Sequence, residues 1–160
     1  MRYFAYLFIS LFTIFVSQTA TAESPETRML AATSSWVNQS GSVASLSFAL
    51  SSQQPSTYVV TGNYINNAPG FQCQGTPYPL SGVYYVNTQT ISFSVAWSNS
   101  SEDCQSVTGW TGYFDLNQSP LIMITDWNLA YSGTNGTQIT QGSDTFSQKQ
   151  VTLSERLISD

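Results

Sequence analysis

Leu80-Ser-Gly-Val-Tyr-Tyr-Val-Asn87 and Thr90-Ile-Ser-Phe-Ser-Val-Ala-Trp97 stand on either side of a short link, Asn87-Thr-Gln-Thr90, in the middle of the chain. In the second run Ile91, Phe93, Val95 and Trp97 alternate with Ser92, Ser94 and Ala96. That alternation puts the large apolar side chains on one face of an extended strand and the small ones on the other. Asn87 favours a turn, so the two runs read as an antiparallel hairpin.

The same period continues in both directions. Strands are expected near Ser35–Gln39, Val43–Leu50, Tyr58–Ile65, Leu80–Asn87, Thr90–Trp97, Val107–Asp115, Leu121–Leu129 and Ser143–Val151. Val, Ile, Thr, Tyr, Phe and Trp crowd them, and Gly, Pro, Asn and Ser punctuate them. Asn117-Gln-Ser-Pro120 is a second tight link, with Pro120 at the start of a strand, where its missing N–H is harmless. Ser132-Gly-Thr-Asn-Gly136 reads as a flexible loop. No helical pattern of ten residues or more stands out; Thr152–Leu157 is the nearest, as one turn or a disordered tail. Consecutive antiparallel strands with short links fit an all-β fold, an eight-stranded up-and-down barrel, because closure removes the exposed edges. Its interior has room for side chains or one small ligand. A two-sheet sandwich satisfies the same strand count.

At 160 residues the chain is the size of one domain. With 8% charged, 41% hydrophobic and 14% aromatic residues, it is too apolar for disorder. A net charge of −5 with only four Lys and Arg leaves no footprint for nucleic acid. The absence of histidine removes Ser-His-Asp and Cys-His catalysis, histidine-ligated zinc and haem, and a histidine pH switch. Cys73 and Cys104 cannot make a four-thiolate metal site, and no metal is expected.

The N-terminus reads as an address. Arg2, an apolar run from Phe4 to Val16 and Ala20-Thr-Ala22 have the form of a secretory signal peptide, residues 1–22, cut near Ala22. A membrane-anchoring helix would need a longer run. Loss of Arg2 makes the mature chain one unit more negative. Residues 23–33 then form a polar lead, 34–151 the barrel and 152–160 a tail. Export, to the extracellular space or the periplasm, makes a disulfide the default state of the two cysteines.

Polar residues fall where a core is expected. Trp97, Trp110 and Trp127 lie near strand ends, and Ser106 and Thr108 share the face of Trp110 by alternation. Asn38, Ser42, Tyr64, Asn66 and Asp144 also fall near strand ends. Buried polar groups need partners. Such a cluster beside three tryptophans suggests a concave site for a small, flat, partly polar ligand. Aromatic barrel filling with hydroxyls facing water fits the pattern equally well.

Ordered motifs favour the concave site. Trp36-Val-Asn38-Gln-Ser-Gly41-Ser42, Thr61-Gly-Asn-Tyr64, Val95-Ala-Trp97, Ser106-Val-Thr108-Gly-Trp110-Thr-Gly112, Trp127-Asn-Leu129 and Gly142-Ser-Asp144-Thr-Phe146 resemble, in order, motifs of the avidin and streptavidin family. The surroundings of Cys73 and Cys104, placed in loops after the third and fifth strands, resemble the disulfide-bearing dimeric bacterial avidins of the rhizavidin and shwanavidin type. Tyr131–Thr137 lacks the tryptophan that tetrameric members lend to a neighbour, which implies a homodimer. Trp36 reads as barrel packing.

The ligand this resemblance implies is biotin, bound without catalysis and without a cofactor. It assigns Asn38, Ser42 and Tyr64 to the ureido oxygen and Asp144 to one ureido N–H. Asn66 stands where other members carry a serine and is expected to take the other N–H. Thr108 faces the ring sulfur; Trp97, Trp110, Trp127 and Leu129 enclose the apolar parts. Ser106 and the backbone of the loop Asn67–Phe71, with Ala68, Gly70 and Phe71, are expected at the carboxylate, and Phe71 as a cover. A glycosidase needs paired carboxylates, but Glu102 and Asp103 read as solvated and Asp126 faces away from Trp127. An acidic secreted barrel is also compatible with a lipocalin-like carrier of another ligand and with surface adhesion.

Overall fold

The computed structural model describes residues 24–149. The expected signal sequence, cleavage site and tail lie outside the described residues. Eight strands follow one another: β1 (Ser34–Asn38), β2 (Val43–Leu50), β3 (Thr57–Ile65), β4 (Pro77–Tyr85), β5 (Thr90–Ser98), β6 (Asp103–Asp115), β7 (Ile122–Gly133) and β8 (Gly136–Gln148). Each pairs antiparallel with the next, and β1 pairs with β8, so the sheet closes into a barrel. A continuous ring of pairing excludes the two-sheet sandwich.

Closure is uneven. β7 and β8 pair continuously from Ile122–Ser147 to Gly133–Gly136. Among the described residues the β1–β8 register covers only Trp36–Gln148, Val37–Ser147 and Asn38–Phe146, with Lys149 N donating to Ser35 O at 2.7 Å just past it. Beyond Asn38 the chain turns away through Gly41, at φ 78°, a left-handed conformation that glycine adopts freely. At Gly62 a Cβ would collide with the Ser45 carbonyl, so the β2–β3 approach requires glycine there.

Alternation fills the interior in two layers. Trp36, Phe114, Tyr84, Met123 and Phe146 are fully buried in the lower one, with Trp36 and Phe114 ring centroids 4.9 Å apart. Trp36 donates its indole N–H to Ser34 Oγ at 2.8 Å, as a buried indole must find a partner. A short helix, α1 (Pro25–Ala31), lies within the stretch expected as a polar lead. Ser24 caps it by accepting from Thr27 N, and Pro25 begins it. Met29 is fully buried in the core, and Glu26 accepts from the Tyr84 hydroxyl at 2.6 Å. Tyr84 sits at the far end of β4 from Tyr78, so α1 docks at the end of the barrel opposite the site described below.

Several boundaries differ from the sequence reading. β4 starts at Pro77 rather than Leu80: the β4–β5 ladder stops at Leu80–Val95, so Pro77 and Pro79 forgo no bond to β5. Ser132–Gly136 is no flexible loop, because Ser132 pairs with Thr137 and Gly133 with Gly136 around a Thr134-Asn135 tip. β8 therefore begins at Gly136, not Ser143; its expected end at Val151 lies outside the described residues. This ribbon is largely solvent-exposed, so it carries no hydrophobic alternation to read. Cys104 lies in β6 rather than in a loop, beside an irregularity where the β5–β6 register shifts between Ala96 and Ser98 and Gln105 takes φ 47°.

Candidate functional site

One end of the barrel opens into a cavity of about 690 Å³, the size of a small-molecule site. It is walled by the ends of β1, β3, β5 and β7, the beginnings of β2, β6 and β8, and the β3–β4 loop. All the residues expected to bind line this one space: Asn38, Ser42, Tyr64, Asn66, Trp97, Ser106, Thr108, Trp110, Trp127, Leu129 and Asp144, with Ala68, Gly70 and Phe71 at the rim.

The floor is built by the β1–β2 turn. Asn38 Oδ1 accepts from the peptide N–H groups of Ser40 at 3.0 Å and Ser42 at 2.8 Å, which shapes the turn from its own first residue. The carboxamide NH2 is thereby aimed inward. It donates to Asp144 Oδ1 at 2.9 Å and lies 3.5 Å from the Tyr64 hydroxyl. Asp144 Oδ1 accepts a second bond from Gln39 Nε2 at 3.1 Å, and Oδ2 accepts from Trp110 Nε1 at 2.9 Å. Oδ1 has used both lone pairs and Oδ2 one. One acceptor position remains on this buried carboxylate.

Tyr64 is buried, with its ring stacked on Trp110 at 4.9 Å and edge-on to Trp97 at 5.6 Å. Burial first, and the Asp144 charge second, push its phenol far above the ordinary tyrosine range, against the opposing effect of Ser42. Tyr64 therefore keeps its proton and remains a donor. Ser42 Oγ accepts from Asn67 N at 2.9 Å and donates to Asn66 Oδ1 over a longer 3.4 Å. Trp97 Nε1 donates to Thr108 Oγ at 2.7 Å, which leaves the Thr108 proton free to face the cavity. Trp110 lies between Tyr64 and Phe93, whose ring stacks on its other side at 5.0 Å.

The rim is fixed by Asn66. Its Oδ1 also accepts from Ala68 N at 3.0 Å, its Nδ2 donates to Gln72 O at 3.2 Å, and its backbone carbonyl accepts from Gly75 N at 2.9 Å. A Cys73–Cys104 disulfide ties this loop to β6. These contacts narrow the expected role of the loop backbone: the Asn67 and Ala68 N–H groups are already engaged, and Pro69 has none. Gly70 and Phe71 are the peptide groups left for a ligand.

Gln39 also lines the cavity, as do Tyr131 and the hairpin tip, none of them expected to bind from the sequence. Tyr131 was readable, since Trp127, Leu129 and Tyr131 alternate onto one face. Gln39 belongs to a turn, where no period applies. Chemically, the floor offers donors from Asn38, Ser42 and Tyr64 beside an acceptor on Asp144. That pattern complements a carbonyl flanked by N–H groups. Asp144 is the one carboxylate among the residues lining the cavity, so the two-carboxylate hydrolytic reading finds no pair there.

Comparison with known proteins identifies relatives of this chain. The family model described as "Avidin family" matches residues 26–149. Hoefavidin from Hoeflea phototrophica is 55% identical over 148 residues, 90% of either chain. Afifavidin from Afifella pfennigii is 48% identical over 125 residues, 78% of this chain and 74% of that one. The rhizavidin–biotin complex superposes with a TM-score of 0.65 at 47% identity, over 76% of this chain and 94% of that one.

Proposed function

Because this chain belongs to the avidin family, whose members are biotin-binding proteins and not enzymes, we propose that the mouth of its barrel binds biotin and leaves it chemically unchanged. The observation that carries the reading is the single open lone pair of Asp144 beside the inward NH2 of Asn38 and the protonated phenol of Tyr64.

In the bound state the ureido oxygen takes bonds from Asn38 Nδ2, Ser42 Oγ and Tyr64 Oη, an array like an oxyanion hole. One ureido N–H goes to Asp144 Oδ2 as a charge-assisted bond. The other goes to Asn66 Oδ1, which the Ser42 hydroxyl vacates by turning its proton to the ligand. Ser42 keeps its bond from Asn67 N through this exchange. Thr108 faces the ring sulfur, and Trp97, Trp110, Trp127 and Leu129 enclose the thioether ring and the valerate arm. Ser106 and the Gly70 and Phe71 N–H groups meet the carboxylate. Phe71, 46% exposed at the rim, folds over the ligand. Phe71→Ala is expected to speed biotin dissociation about tenfold; an unchanged off-rate removes Phe71 from this role. No cofactor takes part.

The protein acts after export and cleavage near Ala22, with residues 34–151 as the binding unit, as a homodimer that sequesters the vitamin. Thermal unfolding with and without excess biotin tests the reading. Stabilisation grows as RT ln(1 + [L]/Kd), so a tight site raises the midpoint by tens of degrees, roughly. An unmoved midpoint sinks it.

A further inference from the structure

We infer that Gln39 is the positioning residue of Asp144: its side-chain amide takes the place of a missing peptide unit of β1 and holds the acceptor carboxylate for the ligand. This rests on the assignment of Asp144 to a ureido N–H.

The barrel seam creates the need. β1 pairs with β8 only as far as Asn38–Phe146, and the turn then carries the backbone away. Ser143 to Thr145 therefore face an edge with no strand beside it on that side, at the level of the site. Ser143 and Thr145 are exposed while Asp144 between them is buried, so without a neighbouring strand only water would hold these peptide groups and the stretch would be free to shift. A carboxamide has the same donor and acceptor as a peptide group. Gln39 uses both: Nε2 donates to Ser143 O at 3.0 Å, and Oε1 accepts from Thr145 N at 3.0 Å. The two peptide groups flanking Asp144 are thus gripped as a ninth strand would grip them. The second Nε2 proton goes to Asp144 Oδ1 at 3.1 Å.

The consequence is directional. With Asn38 and Gln39 both on Oδ1 and Trp110 on Oδ2, the carboxylate cannot rotate without breaking bonds. Its remaining lone pair stays aimed into the cavity. A preorganised acceptor loses less on binding than one that must be ordered by the ligand. Gln39 acts through Asp144 and is given no bond to biotin.

The test is a double-mutant cycle on the full secreted, oxidised protein, with biotin dissociation rate and Kd as readouts and the ligand-free thermal midpoint as a control. Gln39→Ala is expected to weaken biotin about tenfold. In an Asp144→Ala background the same change is expected to have no further effect. Gln39→Glu retains the acceptor for Thr145 N–H but sets a second carboxylate against Oδ1, so it binds biotin more weakly than Gln39→Ala. A role confined to closing the seam gives the opposite order, with the Glu variant the better of the two. The inference is overturned by unchanged affinity in Gln39→Ala, by a loss that persists undiminished without Asp144, or by that reversed order. If Asp144→Ala itself leaves binding intact, the ureido assignment falls first and this role falls with it. Should Gln39→Ala fail to fold, Gln39→Glu against the wild type still decides: about a tenfold or greater loss supports the role, and wild-type affinity ends it.

Discussion

Asp144→Ala lowers biotin affinity by two orders of magnitude or more, measured as Kd or as the dissociation rate. Two losses add. The ligand loses a charge-assisted acceptor, on the order of 1.5–3 kcal/mol for a hydrogen bond to a charged group. The site loses the common partner of Asn38 Nδ2, Gln39 Nε2 and Trp110 Nε1. Asn38 keeps its orientation through the Ser40 and Ser42 N–H groups but loses the charged acceptor that polarises its NH2, which weakens a donor as well. The sum is about 3 kcal/mol or more, with most of it appearing in the off-rate. Asp144→Asn keeps the shape but brings an NH2 that must oppose a donor, so it falls between alanine and the wild type. A change in affinity smaller than threefold for Asp144→Ala would sink the assignment of this carboxylate to a ureido N–H.

Opening the Cys73–Cys104 bridge has the second large effect, on stability first and on ligand retention through it. The bridge spans a sequence separation of 31, and the chain-entropy model gives about 3–4 kcal/mol for a loop of that length. Cys73 is buried under the rim loop, so the loss also frees the segment that Asn66 organises. A reduced protein, or Cys73→Ser with Cys104→Ser, is expected to unfold at clearly lower denaturant and to release biotin faster. A thiol count before reduction should find none free. Two titratable thiols in the untreated protein, or an unchanged denaturation midpoint after reduction, contradicts this.

The strands were legible because one face of nearly every strand is buried, and burial of one face imprints alternation on the sequence. Parity put Ser106, Thr108 and Trp110 on one face; the family resemblance was needed to turn that face inward together with Trp97, Trp127 and Leu129. Legibility failed where that constraint lapses. The β7–β8 ribbon beyond Tyr131 is largely solvent-exposed, so Ser132–Gly136 carried turn residues without alternation and read as a loop. Prolines 77 and 79 hid the start of β4, since proline is tolerated there only because β5 has already ended its ladder. α1 is seven residues long, too short for a helical period to register beside a polar composition. Its docking depends on Met29 entering the core and Glu26 meeting Tyr84, contacts between residues far apart in the chain.

The sequence by itself determined the all-β architecture, the sharing of one strand face by Ser106, Thr108 and Trp110 and the exclusion of histidine chemistry, because composition and parity are properties of single strands. Tertiary structure alone decided which lone pairs remain open. Asn38, Gln39, Trp110 and Asp144 lie on three strands and a turn, and their hydrogen bonds exist only once the barrel closes. The same holds for the rim, where Asn66 and Ser42 have already claimed the Ala68 and Asn67 N–H groups. Pattern gives the direction of a side chain; the satisfaction of its donors and acceptors depends on partners brought together from across the whole chain.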